Sequence, residues 1–333
     1  MIASSCASII EHGISNPCVA GLLYRHWLLL SGNAHDMRSY SLFWFITLLL
    51  VFRLDLRAEQ TEAIPGKITY KDISYVSGGH ERQKLDLYIP KGRGPFPLLV
   101  WVHGGAWRAG SKERPRGLEW LDRGVALASL NYRLSHQATF PAQIEDCKSA
   151  IRWLRAHAEK YELDSDRVIA WGASAGGHLV ALLGVTGDVR SFDLGGNLEQ
   201  SSSVTAVIDE YGPTDFLQMD AMDGQIGRMN HNAEDSPESQ LIGGPIQEHP
   251  ERVKSANPIT YVTEKDAPFL IIHGDEDPLV AHGQSVILLE ALNQAGVLTS
   301  FYTVKGGKHG WFKDLQVSQR IEGFLVDHFG LSH

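Results

Sequence analysis

Cysteine is scarce in this 333-residue chain: Cys6, Cys18 and Cys147 are all it has. Only Cys147 falls in the part that reads as globular. An internal disulfide framework is therefore excluded there, and no cysteine pair stands at metal-ligand spacing. Positive charge is also in short supply. Lys and Arg total 30 against 39 Asp and Glu, for a formal net charge of −9. That balance argues against nucleic acid or an anionic membrane surface as a partner. No internal repeat and no low-complexity tract interrupts the chain. The apolar run at residues 42–52 is shorter than the ~20 residues a membrane-spanning helix needs, so no stable membrane span is expected.

What that run does match is the core of a signal peptide. Met37 and Arg38 precede it as a start and a positive n-region. Leu56, Arg57 and Ala58 follow it, with Leu56 standing where a small residue is preferred. The expectation is that Met37 is the true start and that residues 1–58 are an extension plus a signal peptide. Residues 59–333 then form one exported domain, periplasmic or extracellular. The competing reading is a retained N-terminal anchor. Hydrophobic residues make up 43% of the chain and charged residues 21%, enough apolar material for a sizeable core.

From residue 59 onward, strand-like and helix-like segments alternate. Strands are expected at 69–77, 84–89, 97–102, 124–130, 168–171, 204–208, 269–272 and 300–304. Helical spacing marks 141–161, 175–185, 284–295 and 315–330, with Gly296 closing the third. Several strands are continuous apolar runs, as strands buried on both faces should be. The pattern implies a mostly parallel sheet with helices on both faces. Cys147 shares an apolar helix face with Ile144, Ile151 and Leu154 and reads as a buried structural thiol. Residues 186–203 and 217–257 are polar insertions. The first is equally a lid or surface elaboration, and the second is expected to be a small cap.

The strongest local signal is Gly172-Ala173-Ser174-Ala175-Gly176, between a buried strand and a helix. A nucleophile elbow requires that context. Small residues permit the tight turn, and the helix N-terminus favours a developing anion beside the Ser174 hydroxyl. A serine needs a base. Of the 15 histidines, His309 is preferred because it lies in a glycine-rich loop between the last strand and the last helix. His178 reads as a hydrogen-bonded core residue, while His103 and His273 end strands. The base needs a carboxylate to hold its tautomer, and Asp275, Glu276 and Asp277 compete. Position favours Asp277, whose backbone is restricted by Pro278. The loop His103-Gly104-Gly105-Ala106-Trp107 follows another buried strand. Its backbone N–H groups, with that of Ala175, can form an oxyanion hole. Trp107 either walls an acyl pocket or packs beneath the cap.

Taken together, the His103–Trp107 loop, Asn131-Tyr132-Arg133, Gly172–His178 and His273–Val280 resemble the hormone-sensitive-lipase-like esterases. Within that set they are most similar to the bifunctional acetylxylan and feruloyl esterase branch. The similarity runs from about residue 67 to 330 and includes Tyr211–Phe216 and Ser236–Val262. The resemblance implies an α/β-hydrolase fold with an eight-stranded sheet. It also implies Ser174 as nucleophile, Asp277 as acid, His309 as base, and Gly104, Gly105 and Ala106 as the oxyanion loop. Many lipase-like relatives carry a third glycine where Ala106 stands, which disfavours bulky tertiary-alcohol esters. Ala281 and His282 stand where the family often has a proline, making His282 a candidate cleft residue. Arg133 is expected to support the oxyanion loop through a buried pair, and Asp215 to cap a helix.

The expected activity is that of a serine carboxylesterase acting on short-chain acyl or aryl esters. Its substrate is a small-molecule or polysaccharide ester, with acetyl or feruloyl groups on plant polysaccharide as candidates. No metal or organic cofactor is required. The alternatives are another serine hydrolase, a peptidase or arylformamidase, and a non-catalytic binding module on the same fold.

Overall fold

The computed structural model describes residues 68–222, 229–310 and 312–331. The expected leader, the Met37 start and the boundary after residue 58 lie outside the described residues.

Strands β1 (Ile68–Ser74), β2 (Lys84–Ile89), β3 (Phe96–Val102), β4 (Ala126–Leu130), β5 (Leu163–Ala173), β6 (Ala206–Glu210), β7 (Phe269–Gly274) and β8 (Thr299–Val304) form one sheet. Their order is β1-β2-β4-β3-β5-β6-β7-β8. The pairs β1–β2 and β2–β4 are antiparallel, and every pairing from β4 through β8 is parallel. Every residue of β3, β4, β6 and β7 is buried, which accounts for the apolar runs at Leu98–Val102 and Phe269–Ile272. On β8, at the edge, only Val304 is buried.

The pleat divides the core into two layers. Leu98, Val100 and Val102 of β3 face one side. There they join α1 (Ala142–Ala156), α2 (Ala175–Val185) and the later helix Gly283–Ala295 through Ile144, Leu182 and Leu288. Leu99 and Trp101 face the other side, with Trp120 and with Ile321, Leu325 and Phe329 of the last helix, Leu315–Phe329. Each fully buried Leu, Ile or Phe of these layers contributes about 1.5–3 kcal/mol relative to exposure. Cys147 is a buried free thiol in the first layer, and burial pushes its pKa well above the ordinary value. Gly296 closes the Gly283–Ala295 helix at φ 82°.

The two insertions part company. Residues 186–203 are lashed to α1. Lys148 Nζ donates to the carbonyls of Thr186 and Val189 at 2.7 and 2.8 Å, and Arg152 pairs with Asp193 at 2.7 Å. This segment is surface elaboration. The second insertion contains α3 (Met219–Met222), α4 (Pro237–Ile242) and α5 (Pro250–Ala256), and its residues wall the pocket around Ser174. It is the cap. We number the last two helices α6 (Gly283–Ala295) and α7 (Leu315–Phe329). Among the described residues, no helix is long and apolar enough to cross a membrane.

Candidate active site

Ser174, Asp277 and His309 follow β5, β7 and β8, at the carboxyl ends of parallel strands, where open α/β sheets place their ligands. The turn that carries Ser174 is strained. Its φ is 56° and its ψ −124°, a conformation that costs a non-glycine residue about 1–3 kcal/mol. The strain is held by close packing. A Cβ on Gly176 would stand 2.1 Å from the Val102 carbonyl oxygen, and Ser174 N–H donates to the Glu210 carbonyl at 2.9 Å.

His309 joins the serine to the acid. Its Nε2 lies 2.9 Å from Ser174 Oγ, and its Nδ1 lies 2.7 Å from Asp277 Oδ2. With Nδ1–H donating to the carboxylate, Nε2 is free to accept the serine proton. Tyr211 packs its ring edge-on against the imidazole, with centroids 4.7 Å apart.

The three competing acids separate by contacts that spacing alone does not reveal. Asp275 binds Lys305 Nζ at 3.0 Å and Gly306 N at 2.7 Å, so it pins the His309 loop rather than touching the imidazole. Glu276 donates its backbone N–H to the Gly307 carbonyl at 2.9 Å. Asp277 reaches His309. Its Oδ1 accepts from Leu279 N and Val280 N at 2.8 and 3.0 Å, leaving Oδ2 for the ring.

A second histidine holds that same oxygen. His273 Nε2 lies 3.2 Å from Asp277 Oδ2 and 2.9 Å from the Val280 carbonyl, and its Nδ1 accepts from Ser285 Oγ at 2.7 Å. Both residues are buried. Burial alone would raise the Asp277 carboxyl, but hydrogen bonds from His273 and His309 outweigh it and hold the carboxyl well below its ordinary range. His273 was legible only as the end of a strand. Its role as a positioning residue for the acid depends on the turn at Pro278 bringing the two side chains back together.

The loop expected to receive the oxyanion follows β3. Gly105, Ala106 and Trp107 all have positive φ, at 109°, 53° and 54°. Among the described residues, the N–H groups of Gly105, Ala106 and Ala175 make no other hydrogen bond. Gly104 lies against the elbow, where a Cβ would stand 2.6 Å from the Ala173 carbonyl oxygen. His103, not Arg133, braces this loop. Its Nδ1 donates to the Gly104 carbonyl at 2.7 Å, its Nε2 accepts from Arg82 at 3.1 Å, and its ring stacks on Tyr132. Burial lowers its pKa to about 4, which keeps this tautomer neutral. Arg133 instead pairs with Asp146 of α1 at 2.7 Å. The expected support from Arg133 is corrected because its partner lies on the helix and not in the loop.

Other expectations resolve in the same way. His178 is fully buried, and its Nε2 donates to the Ala256 carbonyl at 2.7 Å. Asp215 caps the turn that follows it, accepting from Leu217 N at 3.1 Å. His282 does not line the cleft: its Nε2 lies 3.0 Å from Thr303 Oγ1, and its ring sits behind His273. Trp107 packs edge-on to His178 and Phe216 and lines the pocket.

That pocket has a volume of about 70 Å³ and is bounded by Ser174, His309, Trp107, the acid loop and the cap. An open groove of about 630 Å³ runs along the Lys305–Gly310 loop and also reaches His309. The cap contributes four residues to the pocket that sequence reasoning missed, Met229, His231, Pro237 and Glu238, of which His231 and Glu238 are buried and ionisable. Nothing periodic marks them, because they sit in an irregular insertion.

A strand–turn–helix serine, with a carboxylate and a histidine supplied in that chain order from later strand ends, defines the α/β-hydrolase class. More specifically, the BD-FAE family model matches residues 85–292, and the chain belongs to that family. It is 33% identical to the esterase LipQ of Mycobacterium tuberculosis over 78% of its own length, and spans 62% of that relative. Among solved structures it resembles a truncated carbohydrate esterase from gut microbiota. The identity is 33% and the TM-score 0.74, covering 81% of this chain and 99% of the other. It also resembles a bifunctional GH43-CE protein of Bacteroides eggerthii, at 35% identity and a TM-score of 0.72, over 78% of this chain and 38% of that one.

Proposed function

We propose that this protein is an exported serine carboxylesterase that removes short acyl groups, acetyl foremost, from carbohydrate esters. The observation that carries the reading is the hydrogen-bonded chain Ser174–His309–Asp277 opening onto a small pocket on one side and a long groove on the other. His309 takes the Ser174 proton as Oγ attacks the ester carbonyl. The oxyanion is met by the N–H groups of Gly105, Ala106 and Ala175, and losing one such donor costs about 3–4 kcal/mol of transition-state stabilisation. His309 then protonates the departing alcohol. It next activates the water that releases the acyl group and regenerates the serine.

The small pocket beside Ser174 accommodates a short acyl group such as acetyl, while the groove beside His309 has room for a polymeric alcohol. Similarity to a carbohydrate esterase supports the same substrate class. The test is release of acetate from acetylated xylan, compared with p-nitrophenyl acetate, methyl ferulate and an amide panel. Acetate from xylan is the expected product. Cleavage of the activated nitrophenyl ester alone would remove the carbohydrate assignment, and turnover of amides would favour the peptidase or arylformamidase reading. Export rests on residues 37–58. Mass spectrometry of the exported protein is expected to find Glu59 at the N-terminus, and a terminus well before residue 50 would refute cleavage.

A further inference from the structure

We infer that Glu238 accepts a hydrogen bond from a hydroxyl group carried by the substrate close to its scissile ester, and so sets specificity for hydroxylated esters. The inference rests on the esterase reading above. The lining of the pocket is otherwise mostly apolar, with Pro213, Met229, Pro237, Leu279 and Val280 contributing. Glu238 is the single carboxylate in it. A few fixed polar groups in an apolar pocket are what orient a ligand.

Glu238 is held firmly in that position. It sits in the first turn of α4, whose start is fixed by Pro237 and by Ser236 accepting from Ser239 N at 3.0 Å. Its neighbour His231 is fixed by Asp220, whose carboxylate accepts from the N–H groups of His231 and Asn232 at 2.8 and 3.0 Å. Glu238 Oε2 lies 3.2 Å from His231 Nδ1, yet it is buried and accepts no aligned hydrogen bond among the described residues. A buried carboxylate oxygen whose near imidazole neighbour is not aligned to donate is costly, so its place in a reaction pocket points to a donor that arrives with the ligand. Trp107 Nε1, also buried and without a hydrogen-bond partner among the described residues, lines the same pocket and offers a donor. A hydroxyl both donates and accepts, so it matches a pocket that offers one acceptor and one donor. An ammonium satisfies only the carboxylate.

The hydroxyl can belong to the alcohol or to the acyl part, and three small esters separate these. The full chain is assayed on ethyl acetate, glycerol 1-acetate and ethyl glycolate, as wild type, Glu238→Leu and Glu238→Gln. In wild type, one hydroxylated ester is expected to exceed ethyl acetate in kcat/KM by about tenfold or more, the usual worth of a hydrogen bond to a charged group. That ratio is expected to collapse towards unity in Glu238→Leu and to lie between the two in Glu238→Gln, which keeps an acceptor oxygen. Glycerol 1-acetate as the favoured ester places the hydroxyl on the alcohol, and ethyl glycolate places it on the acyl group. Equal ratios in wild type and Glu238→Leu would overturn the inference. If the leucine variant is inactive on all three esters, an unchanged ratio in Glu238→Gln overturns it and a lowered ratio supports it. Wild type inert on every ester would strike the esterase reading itself, and this inference with it.

Discussion

Ser174→Ala is expected to lower kcat on p-nitrophenyl acetate by roughly 10⁵–10⁶-fold, the loss typical when the nucleophile of such a triad is removed. The hydroxyl is the atom that His309 Nε2 approaches at 2.9 Å, and alanine leaves nothing in its place to form the acyl intermediate. The oxyanion donors and the pocket remain, so a residual rate above that in water is expected. The backbone at this position is already strained at φ 56°, and alanine inherits that strain, so the thermal midpoint should move little. Intact-mass analysis after a fluorophosphonate probe gives a second readout, with one adduct on wild type and none on the variant. Substantial turnover by Ser174→Ala would mean that another group attacks the ester.

Asp277→Asn is expected to cost roughly 10⁴-fold in kcat, because an amide in place of the carboxylate favours the wrong imidazole tautomer. Its stability signature has a definite sign. The folded carboxyl is held below its unfolded pKa by His273 and His309 against the opposing effect of burial. It therefore stabilises the fold above the unfolded value of about 3.9, and that contribution is lost as pH falls through the folded pKa. Wild type should exceed Asp277→Asn in stability at neutral pH, with the gap narrowing as the pH drops below about 4. His273→Phe keeps a ring but removes both nitrogen contacts. It should lower kcat by roughly 10–100-fold, as expected for a loosened catalytic geometry, with little change in KM. Denaturation curves across pH and steady-state kinetics check both variants. A gap that widens on acidification would contradict the assignment of the charge.

Much of this site was legible in the chain. Several strands showed themselves because sheets covered on both faces demand continuous apolar runs, as at Leu98–Val102 and Phe269–Ile272. Ser174 was legible because its turn tolerates only small neighbours. His309 was identified by its place between the last strand and the last helix. The acid was harder. Asp275 and Asp277 are two residues apart and chemically identical, and only the turn that gives Oδ1 two backbone donors aims Oδ2 at His309. Arg133 was misassigned because a guanidinium reaches many partners, and its partner Asp146 lies one helix start away. Glu238 and His231 left no trace, since the cap has no period from which a face can be read.

The cap leaves the sheet after β6 and the chain returns at β7, while the nucleophile, acid and base hang from β5, β7 and β8. The cap adds Met229, His231, Pro237 and Glu238 to the pocket wall, while the reacting side chains stay on the sheet. Mutation of those four cap residues can reshape part of the pocket without touching the strand ends that carry Ser174, Asp277 and His309. Exchanging residues 217–257 between relatives is accordingly the direct way to move a preference from one enzyme to another.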